Sequence, residues 1–249
     1  MDLGLSGKAA IVTGGRSGIG AAIALALAKE GCDVAVVDRV SDDVTFAVAR
    51  GVEAAGRRSA IFEADVRDFA AAESVVARAA QAFGRLDILV GNAGVTADAM
   101  SWKMSEEQWD TVLDVNLKGC FAYARAVAPV LRKRGGGRMV FIASINGLRG
   151  KAGQANYAAS KAGIIALGKT LARELGPSGV TVNVVAPGMV RTAMAETLPA
   201  DVIQRAVDET QLGTLATPDD IADAVVYLCS ERARHVTGAV LQVDGGQDI

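Results

Sequence analysis

Tyr157 and Lys161 stand four residues apart, a spacing that places both side chains on one face of a helix, and Ser144 lies 13 residues before the tyrosine. A hydroxyl that can bond a substrate oxygen, a phenol that can exchange a proton and an ammonium beside it suit proton transfer at an alcohol or a carbonyl. An unperturbed tyrosine titrates near ~10, too high for a base at neutral pH, and an adjacent positive charge favours the phenolate. As an isolated pair, a tyrosine packed along a lysine stem is the more ordinary arrangement. Here the pair follows "RMVFIAS" (138–144), which reads as a strand ending in the serine. Ligand crevices of parallel α/β sheets open at such strand ends.

A second group stands near the N-terminus, in "IVTGGRSGIGAAIALALAKEG" (11–31). A strand ends at Thr13 and a helix begins near Gly18. Glycine at Gly14, Gly18 and Gly20 permits a tight turn, close backbone approach and close helix packing, and the helix N-terminus offers free N–H groups to a pyrophosphate. A glycine-rich loop alone is a weak signal. This one is followed by a helix and by a second strand ending in Asp38, about 20 residues on, which is the arrangement expected of dinucleotide binding. A P-loop fits worse, since no Lys-Ser/Thr pair follows the glycines.

The elements that must position these groups are legible as an alternation. "AAIVTG" (9–14), "DVAVVD" (33–38), "RSAIFEAD" (58–65), "LDILVGN" (86–92), "RMVFIAS" (138–144), "VTVNVVAPG" (180–188) and "AVLQVDGG" (239–246) are short runs, mostly rich in Val and Ile. Helical patterns fall between them at 18–30, 68–83, 106–133, 157–176 and 218–230. Near-continuous apolar strands separated by helices imply a parallel sheet covered on both faces. The expectation is one doubly wound Rossmann-type α/β domain over 1–249, with a seven-stranded parallel sheet. The segment 189–217 is the least regular and reads as a mobile lid, with solvated connecting helices as the duller alternative.

Bulk composition narrows the classes. The chain has 249 residues, 51% of them hydrophobic, with 26 basic and 28 acidic side chains and a net charge of −2. That balance calls for neither nucleic acid nor an anionic membrane. No run reads as a membrane span, and the start lacks the basic and apolar regions of a secretory signal. Cys32, Cys120 and Cys229 are odd in number and far apart, so they read as reduced, mostly buried thiols and not as a disulfide framework or a metal site. No metal is expected. His235 has no local acidic or cysteine partner and reads as structural or exposed. By elimination the protein is expected in the cytoplasm.

The spacing Thr13-Gly14-x-x-x-Gly18-x-Gly20 departs from G-x-G-x-x-G and resembles the short-chain dehydrogenase/reductase family. "GNAG" (91–94), "VNLKG" (115–119), "ASINGLRGKAGQANYAASKAG" (143–163) and "APGMVRT" (186–192) match that family's further motifs in order, so the resemblance spans essentially the whole chain. It implies an oxidoreductase that moves hydride between a nicotinamide cofactor and a secondary alcohol or ketone. In that scheme Tyr157 is the acid/base, Ser144 orients the substrate oxygen, Lys161 binds the nicotinamide ribose, and Asn116 holds a water linking the lysine to solvent.

Cofactor contacts are implied at Gly14, Arg16, Ser17, Gly18, Ile19, Gly20, Asp38 and Arg39, at Asp65 and Val66 beside adenine, and at Asn92, Ala93 and Gly94. Tyr157 and Lys161 join them, as do Pro187, Gly188, Val190 and Thr192 around the carboxamide. Gly91 departs from the family, which usually has an asparagine there, so a side-chain hydrogen bond near the sheet centre is expected to be missing. Asp38 would accept from both ribose hydroxyls and repel a 2′-phosphate, so NAD is expected over NADP. Ser17 stands where NADP-preferring relatives often carry a base, and Arg16, one residue earlier, is expected to lean toward solvent or the pyrophosphate. Arg39 is the counter-argument.

Two other functions share parts of this pattern. A catalytically dead dinucleotide-binding scaffold would lack the tyrosine, lysine or serine, and all are present. A sugar-nucleotide epimerase usually carries a longer C-terminal region than one ending in "VDGGQDI". The resemblance is strongest to 3-oxoacyl-carrier-protein reductases. Arg132, Lys133 and Arg134 could meet an acidic carrier, yet cations at a helix C-terminus are ordinary. Carrier-dependent relatives often have an arginine near Pro177-Ser178, absent here. A free small ketone or alcohol is therefore expected, walled by Ser144, Ile145, Gln154, Met189 and the 193–208 segment. A homotetramer is expected from the resemblance and the apolar "TGAVLQVDGG" (237–246).

Overall fold

The computed structural model describes residues 2–192, 195 and 199–249. Seven strands form one sheet in the order β3-β2-β1-β4-β5-β6-β7. They are β1 (Ala9–Thr13), β2 (Asp33–Asp38), β3 (Ser59–Glu63), β4 (Ile88–Gly91), β5 (Gly137–Ile142), β6 (Val180–Pro187) and β7 (Val240–Val243). Every pairing is parallel. This is the expected single doubly wound α/β domain. Except for β2, which matches its run, the strands are shorter than the apolar runs that announced them, because pairing stops where the chain bends into loops.

β1 and β6 are buried along their whole lengths, as a strand covered on both faces must be. Alternate residues feed two cores. Ile11, Leu89, Phe141 and Val184 pack on α3 (Phe69–Phe83), α5 (Gly119–Arg134) and α7 (Ala155–Leu175). Val12, Val90, Ile142 and Val185 pack on α1 (Gly18–Lys29) and the helix Pro218–Cys229. Beyond β2, α2 (Asp43–Ala54) begins at a capping box in which the Asp42 carboxylate accepts from the Val44 and Thr45 N–H groups.

The pattern read as one helix over 106–133 is divided. Ser105 and Gln108 cap α4 (Glu106–Leu113), a π-helical turn follows over Asp114–Lys118, and α5 resumes at Gly119. Such turns insert one extra residue into a helix and concentrate at functional sites. This one carries Asn116 inward, fully buried. Next come α6 (Asn146–Arg149), α7, α8 (Ala200–Glu209) and α9 (Pro218–Cys229). α8 falls inside the segment expected to be a lid, while residues 193, 194 and 196–198, also expected as substrate wall, lie outside the described residues.

Cys32, Cys120 and Cys229 are free and buried. Burial pushes the Cys32 thiol up to about 12 and the Cys120 thiol to about 11. His235 is exposed. No described helix is long and apolar enough to cross a membrane.

Candidate active site

Strand order reverses about β1, whose neighbours are β2 and β4, and a cleft opens there at the carboxyl ends of the strands. The main cleft holds about 410 Å³, and an adjoining pocket of about 170 Å³ shares Gly14, Asp38, Ala93, Gly94 and Val95 with it. Asp38 lies where the two meet, and Ser144, Tyr157 and Lys161 line the main cleft only. Its shape and lining suit a dinucleotide.

The floor is the glycine turn. Gly14 has φ +64, and a side chain there would meet Ala93 Cα at 2.8 Å. At Gly20 a Cβ would run into the Gly14 carbonyl oxygen, so α1 approaches the turn closely only because no side chain stands between. Ser17 is the N-cap of α1 and makes no capping hydrogen bond with its side chain. The first-turn N–H groups are thus available for a pyrophosphate. Ser17, Gly18, Ile19 and Gly20 line the cleft.

Thr13, which the sequence left without a role, is the clasp of this floor. Its Oγ1 accepts from the Asn92 and Ala93 N–H groups at 3.0 and 3.2 Å. Asn92 Nδ2 in turn donates to the Thr13 and Gly14 carbonyls, both at 3.0 Å. Asn92, Ala93 and Gly94 therefore hang over the turn as one rigid rung. The absent family asparagine at Gly91 leaves no void, because a Cβ there would lie 2.7 Å from Phe141 Cδ1 and 3.1 Å from Cys120 Sγ. Those side chains occupy the space.

Where the main cleft meets the smaller pocket, Asp38 accepts from the backbone N–H of Arg39 at 2.8 Å and of Arg16 at 3.3 Å. Arg39, Asp65 and Val66 line the smaller pocket, joined by Ala64, Arg67 and Val115. Arg67 grips Asp65, and its hydrogen bond is the largest influence holding that carboxyl below its ordinary range. Arg16, expected to lean toward solvent or the pyrophosphate, is partly exposed and pairs in bidentate fashion with Asp42, Nε to Oδ1 at 2.9 Å and Nη2 to Oδ2 at 2.6 Å, a partner the sequence reading did not name. The reason is geometric: the α2 cap fixes that carboxylate within reach, and a planar guanidinium matches both of its oxygens.

The other limb gathers Ser144, Tyr157 and Lys161, all lining the cleft. Ser144 follows the end of β5, and its Oγ accepts from the Asn146 N–H at 3.2 Å. Lys161 is 3% exposed, donates to the Ile142 carbonyl at 2.8 Å and lies 5.5 Å from the centre of the Tyr157 ring. An ammonium so buried keeps a fixed place and a fixed field at the phenol. Asn116 accepts from the Val95 N–H at 2.8 Å and donates to the Val95 carbonyl and to Ser160 Oγ. Ser160 donates to the Tyr157 carbonyl at 2.8 Å. Asn116 thus ties the loop after β4 to the helical turn that bears the tyrosine, a link that required the π-helical turn.

Pro187, Gly188, Val190 and Thr192 line the same cleft as Tyr157. Among the described residues expected as substrate wall, Ser144 alone is on its lining. Ile145 is buried with its N–H on the Pro187 carbonyl. Gln154 is buried in a chain, donating to Asp98 at 2.8 Å and accepting from Asn146 at 2.9 Å. Met189 is set by its N–H, which donates to Gln247 Oε1 at 3.0 Å. Gln247 also donates to Glu209, which accepts from Arg149. Nothing near the C-terminus marked that glutamine in the sequence.

The basic run at the end of α5 immediately precedes β5, so it lies at the amino end of the sheet, away from the cleft. Arg134 is paired there with Asp87 at 2.7 Å. Among the described residues no cluster of His, Cys, Asp or Glu could hold a metal ion.

Residues 14–248 match a family described as enoyl-(acyl carrier protein) reductase. The chain is 43% identical over 242 residues to nodulation protein G of Azospirillum brasilense, covering 97% of this chain and 98% of that one. It is 39% identical to the 3-oxoacyl-[acyl-carrier-protein] reductase FabG of Thermotoga maritima, with the same coverage. The crystal structure of a chain described as a short-chain alcohol dehydrogenase from Sinorhizobium meliloti 1021 superposes with a TM-score of 0.93 at 36% identity, covering 97% of this chain and 96% of that one.

Proposed function

Because the chain belongs to the short-chain dehydrogenase/reductase family of oxidoreductases, we propose that it interconverts a secondary alcohol and a ketone with NAD(H). One observation carries the reading. Ser144, Tyr157 and Lys161 converge on one limb of a cleft whose far limb carries Asp38. When bound, the nicotinamide supplies or accepts the hydride.

The chain's own residues do the rest. Tyr157 gives its phenolic proton to the substrate carbonyl oxygen, or takes it back from the alcohol. Ser144 donates to the same oxygen and orients it, its own Oγ held by the Asn146 N–H. The buried Lys161 ammonium stabilises the phenolate left behind and is placed to bond ribose hydroxyls. Asn116 holds the loop and helix that frame this limb in register, and it also serves the lysine's link to solvent. Asp38 offers its carboxylate to the adenosine ribose, which disfavours a 2′-phosphate.

The reading extends to a free ketone or alcohol as substrate, supported by the position of Arg132–Arg134 at the amino end of the sheet, away from the cleft. It extends also to a homotetramer, supported by exposed Leu241 and Ile249 beside β7 and by exposed Trp109 and Phe121 on α4 and α5. The cytoplasm is the compartment its free thiols suit. The second reading, reduction of carrier-bound 3-oxoacyl thioesters, is favoured by the Thermotoga maritima relative.

Ketones, alcohols and 3-oxoacyl thioesters assayed with NAD(H) and NADP(H) test both. The Tyr157→Phe variant is expected to bind NADH while losing turnover, since the ring stays and the proton donor goes. Substantial turnover by that variant removes Tyr157 from the chemistry, and activity confined to carrier-bound thioesters selects the second reading.

A further inference from the structure

The adenosine end of the cleft gathers three arginines, Arg16, Arg39 and Arg67, and three aspartates, Asp38, Asp42 and Asp65, in unequal arrangements, with Arg67 held by Asp65. Arg39 forms no ion pair among the described residues and lines the smaller pocket, where its charge acts on Asp65. Arg16, like Arg39, begins beside the ribose position, because its backbone N–H lies 3.3 Å from the Asp38 carboxylate. Its guanidinium is nonetheless withdrawn, held by both oxygens of Asp42. Asp42 is itself immobilised, since Oδ1 also accepts from the Val44 and Thr45 N–H groups at 3.1 and 3.2 Å.

We propose that Asp42 is a specificity-determining residue: by holding Arg16 it keeps a second cation from the adenosine end and so favours a plain ribose over a 2′-phosphorylated one. It acts through Arg16 and is therefore a positioning residue. The proposal rests on the dinucleotide reading above and adds a second lock to the repulsion by Asp38. An anion at the 2′ position would have to draw Arg16 off a charged, bidentate partner before gaining anything from it. Without Asp42, the side chain that now spans to α2 is long enough to swing over Asp38, two residues from glycines that line the cleft.

The natural test keeps the helix cap while removing the charge. Serine and asparagine cap helices about as well as aspartate, so Asp42→Ser and Asp42→Asn retain α2. Titration calorimetry with ADP-ribose and with 2′-phospho-ADP-ribose reads the ribose end alone, with no turnover required. Both variants are expected to bind ADP-ribose within about twofold of the parent and the 2′-phosphorylated ligand about tenfold tighter or more. Adding Arg16→Ala to Asp42→Ser is expected to abolish that gain. An unchanged ratio in both single variants overturns the proposal, and so does a gain that survives Arg16→Ala. Failure of the parent chain to bind ADP-ribose would instead overturn the dinucleotide reading on which it rests.

Discussion

Replacing Gln247 by leucine removes two hydrogen bonds beside the 188–192 loop of the cleft and keeps most of the side-chain volume. Oε1 no longer accepts from the Met189 N–H, and Nε2 no longer donates to Glu209. Gln247 is buried, so the Met189 N–H loses its acceptor where water has poor access, at a cost of ~1–3 kcal/mol. Glu209 is half exposed and keeps Arg149, so its share is small, at most about 1 kcal/mol. Together about 2 kcal/mol of restraint on the 188–192 loop disappears, an upper limit of about 30-fold on any affinity that needs this loop in place. Gly188, Val190 and Thr192 line the cleft, and in the proposed binding mode they face the nicotinamide and not the adenosine.

NADH is therefore expected to bind about 5- to 30-fold more weakly to Gln247→Leu, while ADP-ribose, which lacks the nicotinamide, changes by less than about twofold. Fluorescence titration with NADH and calorimetry with ADP-ribose measure the two. Arg149→Met should cost less than Gln247→Leu, because it leaves the acceptor of the Met189 N–H intact. Equal weakening of both ligands would make Gln247 a general stabiliser of the fold, and no weakening of NADH would refute the strut altogether.

Two further outcomes concern the frame of the site. Gly91→Asn, which restores the family's usual residue, should destabilise by about 1–3 kcal/mol and lower the melting temperature by roughly 3–10 °C, because its Cβ meets the buried Phe141 ring. An unchanged melting curve by circular dichroism would mean that Phe141 yields freely. Asp87 is held below its ordinary carboxyl range although burial opposes the charge, because Arg85, the Ala9 N–H and Arg134 outweigh it. Its folded-state value is depressed, so its contribution is complete above the unfolded value near ~3.9 and fades as pH falls through the lower folded one. Asp87→Asn should cost about 2–3 kcal/mol at neutral pH, discounted because both arginines are about a third exposed. Urea unfolding should show that gap shrinking below about pH 4, and a gap constant to pH 3 would remove Asp87 from the acid response.

The alternation of apolar runs with helical patterns determined the architecture by itself. Strands buried on both faces and helices covering them leave a periodicity in the chain that no long-range partner is needed to read. The set Ser144, Tyr157 and Lys161 was legible for the same reason, since its members are held at fixed spacings by one strand end and one helix. Gly14 and Asp38 likewise mark the ends of consecutive strands. What the tertiary structure alone decided is which polar groups find each other across the fold. The Arg16–Asp42 pair, the Thr13 clasp on Asn92 and Ala93, and the reach of Gln247 to Met189, 58 residues back, depend on strand order and on loops meeting above the sheet. The π-helical turn under Asn116 is of this kind too, because a one-residue insertion leaves almost no trace in a helical pattern, yet it turns a side chain through a large angle. Local patterns determine where the chain bends. Which side chains those bends bring within 3 Å is decided by packing, and the packing of this molecule set the partners on both limbs of the cleft.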